Sequence, residues 1–250
     1  MTRHVWLLLP AYEEARSLDP LLTDVRSLLA EWPDAWPLRV VVVDDGSTDG
    51  TAEAARAAEG LEVEVLVHPE NQGLGAAMRT GMEHVLAEAG PSDVLVTMDA
   101  DHTHPPDRIP AMVERIDAGA DLVIASRFQP GAAVHGLDRT RVLTSLLASW
   151  LLRVVFPGAR DYTCGYRAYR VSLLRWGRER YGHEFLNQAG FSVMVDLLLK
   201  LRRRARRIEE VPLTLRYDRK VSTSKMKVLQ TAGTTLALMA RRFRGDPRGP

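Results

Sequence analysis

Two aspartates one residue apart, Asp99 and Asp101, stand where the apolar run Val94–Thr97 gives way to the polar stretch DADHTHPP. Carboxylates that close repel, and one of them is driven to take up a proton unless a cation lies between them. A divalent ion removes the conflict, and hard oxygen donors suit Mg2+ or Mn2+. Read as two positions apart on a strand, both side chains are expected on one face of the sheet. The competing reading is a solvated turn of the kind Asp forms near Pro.

Three more polar clusters follow apolar runs: PAYEE at Pro10–Glu14, DDGSTDGT at Asp44–Thr51 and HPENQGLGAA at His68–Ala77. In the second, Gly46 allows a tight turn, and Ser47, Thr48 or Asp49 can cap the following helix, whose N-terminal amides favour anionic or polar ligands. Capping does not explain two successive aspartates, Asp44 and Asp45, one of which could accept hydrogen bonds from a nucleobase or ribose. GLGAAM resembles a dinucleotide fingerprint, yet Met78 stands where the third Gly or Ala belongs and the motif follows the third strand. It is weak as a sign of NAD and fits a loop whose backbone approaches a phosphate-bearing ligand. His102 and His104 have no third histidine nearby and read as supporting or solvated groups, and the lone Cys164 reads as a small packed residue.

These clusters need a scaffold, and the chain supplies one. Strand-like runs begin at Val5, Arg39, Val63, Asp93 and Asp121, with helical patterns between them over Ala15–Trp32, Thr48–Ala58, Gly75–Ala89 and Asp107–Ala118. Such alternation predicts an α/β fold with a mainly parallel sheet and right-handed crossovers, which binds ligands at the carboxyl ends of its strands. Every polar cluster of the first half falls at such an end. After Ser126 the alternation stops. There follow an amphipathic helix with a stripe from Leu143 to Val155, a polar loop GARDYTCGYRAYR, a helix around Phe191–Arg204, a strand in EEVPLTLRY and a final helix from about Lys225 to Phe243.

Composition narrows the class. The chain has 250 residues, 46% of them hydrophobic, enough for a single unit with one core. Its 33 basic and 32 acidic residues give a formal charge of +1, so no global field favours nucleic acid. One cysteine excludes an intrachain disulfide and suits a reducing, cytoplasmic compartment. No window reaches the roughly 20 apolar residues of a membrane span, and Val5–Leu9 is too short for a signal peptide. The run RRRARR at Arg202–Arg207 reads as a solvated helix end, or as attraction to an anionic surface together with KMK and RRFR.

Taken in order, PAYEE, DDGSTDGT, NQGLGAA, DADHTHPP, SRF, DYTCGYRAY and VSTSKM resemble the motifs of family 2 glycosyltransferases of the GT-A fold. Within them the chain is most similar to dolichol-phosphate mannose synthases and their bacterial polyprenyl-phosphate relatives. The resemblance spans about Val5–Met226. It implies a Rossmann-like, mainly parallel sheet flanked by helices, in a single domain over residues 1–222 with a donor half (1–118) and an acceptor half (119–222). Residues 223–250 would form an amphipathic helix and tail.

For the site, the resemblance implies a nucleoside-diphosphate sugar held by Pro10, Ala11, Tyr12, Glu14, Asp44 and Asp45, with Asn71 and Gly73 close by. Asp99 and Asp101 would hold Mg2+ or Mn2+ on the diphosphate, with Thr103 at the position of a further metal contact. Arg127, Arg141 and Ser145 match positions that bind a lipid phosphate, and Arg219 and Lys225 match a basic loop that closes over the phosphates. The expected reaction is inverting transfer of a hexose, foremost mannose from GDP-mannose, to a polyprenyl phosphate, with peripheral contact at the inner face of the cell membrane. A soluble acceptor and a non-catalytic nucleotide-binding protein stand as alternatives. Cys164 replaces the usual Ser, Asp196 the common Glu, and Val221 and Thr223 the usual small residues.

Overall fold

The computed structural model describes residues 3–34, 36–136, 158–190 and 192–221. Its centre is a seven-stranded sheet built from β1 (Val5–Ala11), β2 (Leu38–Asp44), β3 (Glu62–Val67), β4 (Val94–Thr97), β5 (Leu122–Ser126), β7 (Arg167–Arg170) and β8 (Ile208–Pro212), in the order β3-β2-β1-β4-β7-β5-β8. All run parallel except β7, which is antiparallel to both its neighbours. A separate parallel pair joins β6 (Ala133–His135) to β9 (Thr214–Arg216).

The helices are α1 (Ala15–Leu28), α2 (Thr51–Arg56), α3 (Leu74–Glu88), α4 (Ile109–Asp117), α5 (Val171–Tyr181) and α6 (Ser192–Leu201). In α1, Leu18, Leu21, Leu22 and Val25 recur at helical spacing and are the residues it buries. With helices covering the sheet, its central strands read as unbroken apolar runs: Val5–Leu9 and Val40–Val43 are buried throughout. At the edge, β3 alternates instead. Glu62 and Glu64 face solvent there and pair with Arg39 and His84, which puts charge on an edge that would otherwise invite another strand.

Three expectations need correction. The alternation does not stop at Ser126, because GARDYTCGYRAYR contains β7, inserted between β4 and β5, and α5, α6 and β8 complete the sheet's cover and edge. The strand looked polar because of Arg167, yet that side chain is fully buried, its guanidinium donating to the carbonyls of Met194 (2.6 Å) and Tyr162 (2.7 Å). Second, β4 ends at Thr97, so Asp99 and Asp101 lie in the turn beyond the strand and owe their proximity to that turn. Third, the boundaries shift. The α2 helix starts at Thr51, after Gly50 at φ 89°, and Asp49 accepts the Thr51 amide (3.0 Å); EEVPLTLRY divides at Leu213 into β8 and β9. The expected helices over Leu143–Val155 and Lys225–Phe243 lie outside the described residues.

Candidate active site at the carboxyl edge of the sheet

Because β1, β2, β3, β4, β5 and β8 are parallel, the segments after the first five leave the same edge of the sheet. The antiparallel β7 brings residues 161–166 to that edge from the other direction.

The loops after β1 and β2 are laced together. Glu13 N–H donates to Ser47 Oγ (2.9 Å), Glu14 N–H to Thr51 Oγ1 (2.9 Å) and Ala15 N–H to Asp49 Oδ2 (3.1 Å), while Glu13 Oε1 accepts the Thr48 amide (2.8 Å). Burial pushes the Asp49 carboxyl up, but the Thr51 hydroxyl and the amides of Ala15 and Thr51 that donate to it outweigh burial and hold it below its ordinary range. Pro10 and Ala11 end β1 opposite Val43 and Asp44, and Asp44 Oδ1 receives the Ser47 amide (3.0 Å). Asp45 turns toward the third loop, where its carboxylate accepts the amides of Gln72 (3.0 Å) and Gly73 (2.7 Å). Gly46, at φ 74°, abuts that loop so closely that a Cβ would lie 2.3 Å from the Glu70 carbonyl carbon. Pro10, Ala11, Tyr12, Glu14, Asp44, Asp45, Asn71 and Gly73 thus share one edge, with Asn71 exposed on it.

The next glycine of GLGAAM has a different purpose. A Cβ on Gly75 would lie 2.0 Å from the carbonyl oxygen of Gln188, so this residue lets the start of α3 pack against another backbone segment.

In the turn after β4, Asp101 Oδ1 accepts the Thr103 amide (3.1 Å) and hydroxyl (2.7 Å), and Lys220 pairs with Oδ2. Thr103 is therefore placed as a donor that orients Asp101. Burial would raise the Asp101 pKa, but Lys220 and His104 outweigh it and the carboxyl sits below its ordinary value. Asp99 goes the other way. Burial, helped by the charge of Asp101, raises it despite His104, Lys220 and Arg127. The turn is held from behind: His102, at φ 60°, is 2.8 Å from Asp24 Oδ2, to which Arg219 also donates (3.1 Å), and Arg216 N–H donates to Thr103 O (2.8 Å).

These residues fit a hard divalent cation. Asp99 is a partly buried carboxyl, its side chain 30% exposed, destabilised in its charged form by desolvation and by a second carboxylate, a conflict that a cation relieves. Two carboxylates leave the remaining positions of an octahedral shell to phosphate oxygens and water. Among the described residues no cluster of three or more His, Cys, Asp or Glu could hold a metal on its own.

Arg127 follows β5 and is anchored by a residue that sequence reasoning did not single out. Its Nε and Nη2 donate to the two oxygens of Asp161 (2.8 and 2.7 Å), its backbone amide to Oδ2 (3.1 Å), and Nη2 also to Thr163 Oγ1 (2.5 Å). Asp161 is fully buried. Burial alone would raise its pKa, but Arg127 outweighs it and holds the carboxyl down at about 2, while Asp161 keeps the guanidinium charged against burial. Among the described residues these bonds engage Nε and Nη2, and the guanidinium stands as a fixed cation within electrostatic reach of Asp99. Asp161 lay in view in DYTCGYRAY, but nothing in one chain pairs it with an arginine 34 positions away.

Cys164 sits beside this pair and is inert, its thiol pushed up to about 12 by burial and then by Asp161. Asp196 forms a buried i,i+4 pair with Lys200 in α6. Arg219 is placed on Asp24 and His102, while Arg141, Ser145 and Lys225 lie outside the described residues. The arginines of Arg202–Arg207 precede β8 and so sit at the opposite edge of the sheet.

The arrangement can therefore cradle a nucleotide in loops, hold a cation on two carboxylates and present a fixed arginine to an anion. Known proteins resemble the chain in sequence and in fold. An undecaprenyl-phosphate mannosyltransferase from Micrococcus luteus is 37% identical over 89% of this chain and 87% of its own. A polyprenol monophosphomannose synthase from Mycolicibacterium smegmatis is 32% identical over 90% and 82%. A crystal structure of glucosyl-3-phosphoglycerate synthase from Mycobacterium tuberculosis, in complex with Mn2+, UDP-glucose and phosphoglyceric acid, shares the GT-A fold at a TM-score of 0.68, with 21% identity over 98% of this chain and 81% of that one. The model of glycosyl transferase family 2 matches residues 6–176, and the chain is a glycosyltransferase belonging to that family.

Proposed function

We propose that the protein transfers a hexose from a nucleoside-diphosphate sugar to a polyprenyl phosphate, with inversion at the anomeric carbon, and that mannose from GDP-mannose is the physiological donor. The observation that carries this reading is the convergence of the Asp99–Asp101 pair and the anchored Arg127 on one edge of the sheet. The names of the two bacterial relatives support the acceptor.

In this reading Pro10, Ala11, Tyr12, Glu14, Asp44 and Asp45, with Asn71 and Gly73, form the nucleotide cradle of a donor half over residues 1–118. Asp99 and Asp101, the latter oriented by Thr103, hold Mg2+ or Mn2+. That ion, when bound, supplies the charge neutralisation a departing diphosphate requires. A phosphate acceptor is already anionic near neutral pH, so the acceptor half over residues 119–222 needs cations to place it more than a base to activate it. Arg127, charged and immobile, is the described residue best suited to that task; Arg141, Ser145, Arg219 and Lys225 complete the proposed phosphate contacts. No helix among the described residues is long and apolar enough to cross a membrane. A lipid acceptor would then be met by peripheral contact, at the cytoplasmic face of the cell membrane, with residues 223–250 as an amphipathic tail.

The test is a panel of labelled sugar nucleotides with Mn2+ and a short polyprenyl phosphate. Label from GDP-mannose should pass into the organic phase faster than from UDP-glucose. Label that reaches only water-soluble products would overturn the acceptor, and a preference for another donor would overturn the sugar.

A further inference from the structure

His68 follows β3, is 9% exposed, and has a partner on each ring nitrogen. Its Nδ1 lies 2.7 Å from Asp45 Oδ1 and its Nε2 2.9 Å from Thr80 Oγ1 in α3. An ionised carboxylate only accepts, so Nδ1 donates to Asp45 and the far nitrogen meets the Thr80 hydroxyl. Asp45 is the hub. Oδ1 also accepts the Gln72 amide, and Oδ2 accepts the Gly73 amide.

The two amides belong to a loop with little else to fix it. Pro69, Glu70, Asn71 and Gln72 are all exposed, so no buried side chain among them anchors the path from β3 to α3. The loop is held by its backbone: Gly46 abuts Glu70 and Asn71, and Asp45 grips the next two amides. The direction of the Asp45 carboxylate therefore decides where Asn71 and Gly73 stand. Without the imidazole, Oδ1 keeps a single donor, and a space opens between β3 and α3 into which the carboxylate can turn.

We propose that His68 is a positioning residue for donor binding: braced by Thr80, it orients Asp45, which holds the Gln72 and Gly73 amides and so presets the loop that meets the nucleotide. This rests on the reading that Asn71 and Gly73 belong to the donor cradle. The role is distinct from chemistry at the diphosphate, because the relay lies among the loops after β2 and β3 and not in the turn that carries Asp99 and Asp101.

The test uses His68→Ala, His68→Asn and Thr80→Val in the full chain, with amide exchange at Gln72 and Gly73, calorimetric binding of GDP and of UDP with Mn2+, and donor kinetics. In His68→Ala, exchange at both amides should rise, and affinity for the nucleotide the wild type prefers should fall about tenfold, as expected when a buried acceptor loses a donor. Donor KM should rise by a similar factor while kcat at saturating donor stays within about twofold, since binding and not the transition state is affected. His68→Asn, whose amide can replace Nδ1–H, should recover most of the loss, and Thr80→Val should fall between it and wild type. Wild-type affinity in His68→Ala, no recovery in His68→Asn, or a fall confined to kcat would each overturn the proposal. Lost amide protection with unchanged affinity would overturn the placement of the loop in the donor cradle. A wild-type protein that binds neither nucleotide would overturn the proposed function itself.

Discussion

Asp161, fully buried, and Arg127, 18% exposed, form an ion pair with two side-chain hydrogen bonds, and a pair so largely removed from water is far more costly to break than it was profitable to make. Asp161→Asn should therefore cost up to about 3–5 kcal/mol in urea unfolding, because it leaves Arg127 charged, under-paired and largely shielded from water. The pH dependence has a definite sign. The native carboxyl titrates at about 2 against 3.8 for an unperturbed Asp, so its contribution is complete above pH 3.8 and disappears as the pH falls through 2. About 2 kcal/mol is involved. The difference between wild-type and Asp161→Asn stability, followed from pH 5 down to pH 2, should shrink over that window; a difference independent of pH would contradict the pairing. At this scale the sequence was legible where chemistry repeats within a few residues, as in Asp99 and Asp101 or Asp44 and Asp45. It was not legible where the partner is distant in the chain: Asp161 for Arg127, His68 for Asp45, and Asp24 for Arg219, 195 positions away.

Elements were read well where their pattern is local. The five parallel strands of the first half announce themselves as apolar runs, and the start of α3 was placed to within a residue. The strand β7 escaped because Arg167 interrupts its apolar character, and only tertiary carbonyls make that arginine compatible with a central strand. The role of Gly75 inside GLGAAM was not legible either, since its lack of a side chain makes room for the distant Gln188 carbonyl. Gly75→Ala should thus destabilise the protein by about 1–3 kcal/mol, the usual cost of overpacking against something that cannot yield. Thermal unfolding is the measurement. A neutral effect would mean that the segment around Gln188 moves freely from α3.

For the whole molecule, the parallel sheet and the concentration of polar loops at its carboxyl edge followed from the order of runs and clusters. What lies at the other edge did not. Arg202–Arg207 sits opposite the site, so a membrane approached through these arginines would leave the carboxyl edge facing away from the lipid. Neutralising Arg203, Arg204 and Arg206, which are exposed, should leave transfer to a lipid acceptor within about twofold, because surface charges far from the site act weakly across more than a Debye length. A large loss in a liposome-based assay would contradict that orientation. The molecule should also be metal-stabilised. Mn2+ at a hundred times its dissociation constant should add about 2.7 kcal/mol of stability, removed by EDTA and absent in Asp101→Ala.

The central claim is that the Asp99–Asp101 pair holds the cation on which sugar transfer to a polyprenyl phosphate depends. It is tested most directly by following labelled mannose from GDP-mannose into a short polyprenyl phosphate, with wild type and Asp101→Ala side by side and Mn2+ either supplied or chelated. Wild type with Mn2+ should form the lipid product, and either chelation or the substitution should lower the rate by about a hundredfold or more, the scale of losing a main electrostatic stabiliser, while Asp101→Ala retains a cooperative unfolding transition. Near-normal transfer by the folded variant, or by wild type in EDTA, would contradict the claim.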